Sequence, residues 1–165
     1  MSQAMADLFK RITTGVHVSG VADGETRNAF TAAWVMQVSF RPLMLALSIN
    51  PGHKSYALLE AGRHFTINVL DQRQIDLAAH FGEPAPADKL AGVAWTPGAG
   101  GAPLLEEALA QFECEWAGEI PAGDHVLVLG RVINGRLLDP DRIPLTYQET
   151  GNLDGAAAIY PESFE

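Results

Sequence analysis

Apolar positions along this chain change their period several times. Met5, Leu8, Phe9 and Ile12 recur at helical spacing and Gly15 follows as a stop, so a short amphipathic helix is expected over residues 4–14. Val16, Val18 and Gly20 then alternate up to the hairpin signal Asp23-Gly24, and a second strand is expected over 25–30. The run Leu-Met-Leu-Ala-Leu-Ser-Ile over 43–49, bounded by Pro42 and Asn50-Pro51-Gly52, predicts a central strand buried on both faces. Residues 53–61 follow as a short helix with Tyr56, Leu58 and Leu59 inward and Gly62 as its stop. Over 64–70, Phe65, Ile67 and Val69 alternate along another strand. Asp71 and Gln74 have the spacing of a capping box that opens a helix through Ile75, Leu77, Ala78 and Ala79 to His80, with Gly82 beyond.

The stretch 83–103 is rich in Pro and Gly and reads as a long functional or mobile loop around a small piece of helix near 88–91. Two strands over 111–119 and 125–136 complete the pattern, joined by 120–124. Six or seven strands, mostly in hairpins, and three short helices predict a mainly β fold. A closed or partly closed antiparallel β-barrel with short helices is expected, rather than a doubly wound parallel sheet.

Length and charge narrow the picture. A chain of 165 residues favours one domain over 1–165. Eleven basic against twenty acidic residues give a net charge of −9, which opposes nucleic acid and anionic membrane surfaces as partners. The apolar fraction is 47% while the charged fraction is 19%, below the roughly 25% usual for soluble domains. That shortfall of solvated surface points to an oligomer or a buried ligand. The run 43–49 is too short to cross a bilayer. The N-terminus has neither the basic start nor the apolar core of a secretory leader, so a cytoplasmic location is expected. Cys114 stands alone, which excludes an intramolecular disulfide, and it reads as a small strand hydrophobe.

Catalytic signatures are sparse. There is no phosphate-binding P-loop, no Gly-x-Ser-x-Gly elbow and no dinucleotide fingerprint. His17, His53, His64, His80 and His125 form no His-x-x-x-His pair, so no metal is expected. Three segments could still carry chemistry. In 28–39, Thr31, Gln37 and Ser39 supply hydrogen-bonding groups while Ala29, Ala32 and Ala33 keep the surface low enough for a flat ligand; an ordinary edge strand with a bulge has the same pattern. In 50–56, a turn delivers Lys54 and Ser55 to the first turn of a helix, where free N–H groups, the helix dipole, an ammonium and a hydroxyl converge as a phosphate would require. Ser55 as a simple helix-start residue and Lys54 as a solvated charge account for it equally well. In 123–126, His125 opens an apolar strand after a Gly-Asp turn, a place for either a pocket-facing or a cross-strand histidine.

In succession these segments resemble the flavin reductase family, an FMN-binding split barrel. The likeness runs from Phe9-Lys-Arg-Ile-Thr-Thr-Gly-Val16 through Thr31-Ala-Ala-Trp-Val-Met-Gln-Val-Ser-Phe-Arg-Pro42, Phe65-Thr-Ile-Asn-Val-Leu70, His80-Phe-Gly82, Gly123-Asp-His125 and Pro144-Leu-Thr-Tyr147. The version with Trp34 and Gln37 is similar to flavoredoxin and to the reductase domain of diflavin flavoproteins. The resemblance implies a homodimer binding FMN, or FAD, near its interface, with NAD(P)H as substrate and a monooxygenase or redox protein as acceptor. It implies that Thr31, Ala32, Ala33 and Trp34 line the isoalloxazine edge and that Gln37, Val38 and Ser39 continue that wall. Lys54 and Ser55 would serve the phosphate, Asn68 and Leu70 the strand end beside it, and His80, Phe81 and Gly82 a turn closing over the flavin. His125 would lie near flavin and nicotinamide. Hydride transfer between two cofactors needs orientation and an open ring face rather than a protein nucleophile, which suits the sparse signatures. An electron carrier or sensor binding flavin or haem without turnover would carry the same motifs.

The chain departs from the family at Arg41-Pro42-Leu43, where two prolines are frequent, and at Thr150-Gly151-Asn152-Leu153, where a Tyr often follows the Gly. The second departure leaves the nicotinamide preference unassigned. Residues 156–160 are a candidate tail crossing to the partner subunit.

Overall fold

A computed structural model describes residues 2–84 and 88–164. Its main feature is one antiparallel sheet of seven strands in the order β2-β1-β5-β8-β9-β4-β3. These are β1 (His17–Asp23), β2 (Thr26–Ala32), β3 (Val35–Phe40), β4 (Leu43–Ile49), β5 (His64–Val69), β8 (Ala110–Ala122) and β9 (His125–Leu137). The edge strands β2 and β3 are consecutive in the chain, joined only by Ala33 and Trp34. Three Cα steps span at most about 11 Å. The sheet therefore curls until its two edges approach at that link. Three short helices, α1 (Ser2–Phe9), α2 (Lys54–Gly62) and α3 (Ile75–Gly82), complete the mainly β architecture that the sequence pattern predicts.

Two apolar clusters hold the sheet. One gathers Leu47, Leu59, Phe65, Ile67, Cys114 and Val128; Gly130 is part of its geometry, because a Cβ there would lie 2.4 Å from Phe65 Cζ. The other gathers Val16, Val18, Leu70, Phe81, Leu105 and Leu145 under α3.

Several expectations need correction. The first helix ends at Phe9 rather than residue 14, because the chain must straighten to make the bridge between Gly15 and Thr146; Leu8, Phe9 and Ile12 stay exposed. The 43–49 strand is β4, one place in from the edge, and its two-sided burial holds only over Leu45, Ala46 and Leu47. Only half of the capping box forms. Gln74 Oε1 accepts from the Asp71 N–H at 2.9 Å, but the Asp71 carboxylate turns to Arg73 instead, so α3 starts at Ile75 and takes in Gly82. The 83–103 stretch is not a plain loop: β6 (Trp95–Pro97) pairs with β7 (Pro103–Leu105), and no helix forms at 88–91, while residues 85–87 lie outside the described ones. The last two strands extend to a tight turn at Gly123 and Asp124, with Gly123 at φ 66°. Among the described residues, no helix is long and apolar enough to cross a membrane.

Asp71, 2% exposed, ties the end of β5 to the segment before Leu145. Its Oδ2 lies 3.4 Å from Arg73 and 3.1 Å from Arg142. Burial alone would raise this carboxyl, yet the Arg73 N–H and the two guanidinium groups outweigh it and hold it below its ordinary value of 3.8. A carboxyl depressed in the folded state adds stability above 3.8 that is lost as pH falls through the folded value. Asp71→Asn should therefore cost about 1–3 kcal/mol at neutral pH. Thermal melting checks this, and the gap to the parent should narrow in acid.

Candidate functional site

The link between the sheet edges is also where the molecule is hollow. On one side a cleft of about 230 Å³ is walled by Thr31, Ala32, Ala33, Trp34, His53 and His125, among others. On the other, a cleft of about 390 Å³ reaches α3 at Ala78, Ala79 and Gly82. Thr31, Ala33, Tyr147 and Asp154 line both, so the two share a wall. The alanines leave the backbone of the link close to the open space.

Buried contacts fix this wall from behind. His17 donates its Nδ1–H to the Ala32 carbonyl at 3.0 Å, the only role open to a ring nitrogen facing a carbonyl. Thr31 Oγ1 donates to Ala78 O at 2.6 Å, tying β2 to α3. In front, the His125 ring lies 5.1 Å from the Trp34 ring, and its Nδ1 meets Asp124 Oδ1 at 2.7 Å.

A polar cluster sits at the N-terminus of α2. His53 caps the helix, its Nδ1 accepting from the Ser55 N–H at 3.1 Å, and its ring packs 4.9 Å from Phe30. Burial, with Lys89 nearby, lowers the His53 pKa below 6.5. Ser55 is buried and its hydroxyl accepts from Asn28 Nδ2 at 2.8 Å. Lys89, 7% exposed, donates to Phe81 O at 3.1 Å, and His80 Nε2 contacts the Lys89 carbonyl at 2.7 Å. Burial depresses the Lys89 ammonium, Glu83 pulls it back up and Lys54 pushes it down again, with a net lowering. His53, Lys54 and Lys89 thus share one electrostatic neighbourhood. Burial is the main cost to the Lys89 ammonium, and Glu83 and the Phe81 carbonyl already offset part of it.

Not every expected residue reaches these clefts. Thr31, Ala32, Ala33, Trp34 and His125 meet in the smaller one, Gly82 lines the larger one, and Lys54 and Ser55 stand at the α2 start. Val38 and Ser39 instead line a third, apolar hollow of about 560 Å³ with Trp34, Met36, Met44 and Leu127. Gln37 is exposed on β3, beside the register shift between Gln37 and Ser39 that makes this an edge strand with a bulge. Leu70 and Phe81 are fully buried in the second core cluster. Asn68 is also buried, spending Nδ2 on Val18 O and Oδ1 on the Leu105 N–H, so its polar groups hold β7 against the sheet. Tyr160 of the candidate crossing tail has its ring 5.5 Å from that of Phe9. Sequence reasoning gave no role to Lys89, Asn28, His53, Tyr147 or Asp154. The one available signal for Lys89 was a lone lysine beside Leu90 in a Pro-rich stretch of an acidic chain.

Residues 9–155 match the flavin reductase like domain, and the chain belongs to that family. It is 32% identical over 146 residues to diflavin flavoprotein A 1 of Synechocystis, covering 86% of this chain and 26% of that one. The chain spans about a quarter of the length of such relatives. The Streptomyces globisporus NADH:FAD oxidoreductase SgcE6 superposes with TM-score 0.81 at 28% identity, covering 88% of each chain. BorF, the flavin reductase component of a bacterial two-component tryptophan halogenase, gives 0.82 at 28%, covering 91% of this chain and 95% of its own.

The wall makes a prediction of its own. Burial lowers the His17 pKa from 6.5 against the raising effect of the Ala32 hydrogen bond. A histidine held neutral in the fold gives stability that is full above 6.5 and lost as pH falls below it. His17→Gln should flatten the decline of melting temperature between neutral pH and about pH 5; an unchanged slope would assign that decline to other groups.

Proposed function

We propose that this chain is an FMN-dependent NAD(P)H oxidoreductase of the split-barrel type, passing reducing equivalents to a flavin-using partner such as a monooxygenase or a redox protein. The observation that carries this is the low wall of Thr31, Ala32 and Ala33 in a cleft that His53 also lines, with Lys54 and Ser55 following His53 at the start of α2 and Lys89 electrostatically near. In a chain of net charge −9, this concentration of donors fits one phosphate monoester, and the wall beside it fits a flat ring.

When bound, a flavin supplies the hydride-accepting ring position and a nicotinamide supplies the hydride. The protein's share is binding and orientation. Lys54, Lys89 and Ser55 would hold the phosphate end, while the Ser55 and Tyr56 N–H groups are already spent on His53. The backbone of Ala32 and Ala33 and the Thr31 side chain direct the ring edge, while Trp34 and His125 border the side left open for a second ring. Asp124 fixes the His125 ring through Nδ1, so its Nε2 is the nitrogen free to face a ligand.

The apolar hollow supports a homodimer. Met36, Phe40 and Leu43 are exposed along β3 and β4, Phe40 at 81%, and the hollow beside them carries almost no polar surface. Burying it against a second copy would offset the low charged fraction. This reading places the protein in the cytoplasm.

Purified protein should bind FMN with a rise in melting temperature, and NADH or NADPH should bleach the bound flavin without air. Absence of FMN binding sinks the reading; binding without bleaching leaves a carrier or sensor. Lys54→Glu and Lys89→Met should each weaken FMN at least about tenfold. Lys89→Met also removes the donor to Phe81 O, so the apoprotein should lose about 1 kcal/mol of stability, read as a small drop in melting temperature.

A further inference from the structure

The clefts differ from the phosphate cluster in charge. Among the described residues, neither cleft is lined by a lysine or an arginine, while Glu83 lines the larger and Asp154 lines both. The nearby cations are engaged elsewhere. Lys89 is buried on Phe81 O and within range of Glu83, Lys54 stands at the α2 start, and Lys10 donates to Gly151 O beside the Tyr147 ring. The site thus has one cationic cluster, and it suits one phosphate monoester.

Asp154 is held in place. Its Oδ2 accepts from the Tyr147 hydroxyl at 2.6 Å and its Oδ1 from the Ala156 N–H at 3.0 Å. Burial, and then that bond, push the Tyr147 phenol well above its ordinary value, so it stays a donor across physiological pH. A carboxylate can accept about four hydrogen bonds, which leaves about two lone pairs for a ligand. A ribose diol donates to such a group, whereas a 2′-phosphate brings nearly two negative charges against it.

Building on the oxidoreductase reading, we propose that the hydride donor is NADH rather than NADPH, and that Asp154 is the specificity-determining residue, its carboxylate accepting from a ribose hydroxyl of a dinucleotide lying across the shared wall. The flavin phosphate takes Lys54 and Lys89, and the extra phosphate of NADPH meets Asp154 with no lysine or arginine among the described residues that line the clefts.

The test is calorimetric titration of FMN-loaded protein with NAD⁺ and NADP⁺, alongside anaerobic flavin bleaching by the reduced forms. Like charges a few ångström apart in solvent change affinity by about five- to tenfold, so NAD⁺ should bind tighter by at least that factor. Asp154→Asn keeps an oxygen acceptor for Tyr147 and should close most of the gap. Asp154→Lys should invert it. Melting temperature of the apoprotein reports whether each variant folds, and if Asp154→Lys does not, Asp154→Asn decides. Equal or tighter binding of NADP⁺ by the parent overturns the proposal, as does a preference that Asp154→Asn leaves intact. Bleaching by neither nucleotide overturns the oxidoreductase reading and this proposal together, whereas bleaching by NADPH as fast as by NADH overturns this one alone.

Discussion

The structure depends on a short tether between distant edges. Seven strands pair in an order that puts β2 and β3 at opposite ends of the sheet, yet only Ala33 and Trp34 separate them in the chain. Backbone reach alone then forces the sheet to curl. Where the edges approach, their outer faces cannot both pair with neighbours, and two clefts open with the tether as their common wall. The hydrogen bonds from His17 and Thr31 keep that wall in register, so the site is a consequence of sheet closure rather than an addition to it.

Much of this was legible in the residues. Period-2 runs and Asp-Gly or Gly-Asp turns marked the main hairpins, because side chains alternating between core and solvent leave a direct trace. The succession from Phe9 to Tyr147 marked the family. What failed to show was anything decided by long-range pairing. The run 43–49 is apolar except for Ser48, and nothing local says that its outer side faces a hollow instead of a second layer. Asn68 reads as a polar residue in a strand, and only the approach of Pro103 and Leu105, thirty-five and thirty-seven residues away, absorbs its side chain into the core. Lys89 is the converse case: its importance comes from burial beside Lys54 and His53, two partners separated from it by the whole of β5 and α3.

Charge is distributed as economically as the backbone. The 19% charged fraction leaves large apolar areas on β3 and β4 without solvating cover. Acidic groups dominate the whole and border the clefts, while Lys54 and Lys89 influence each other near the start of α2. A ligand with a single dianionic end and a flat, weakly charged body matches that division.

The central claim is that the tether between β2 and β3 is the flavin wall. A crystal structure of the protein with FMN tests it most directly. The account predicts the ring against the backbone of Thr31, Ala32 and Ala33, with the phosphate within hydrogen-bond reach of Lys54, Ser55 or Lys89. A ring seated instead in the apolar hollow between β3 and β4, with those lysines left free, would contradict it.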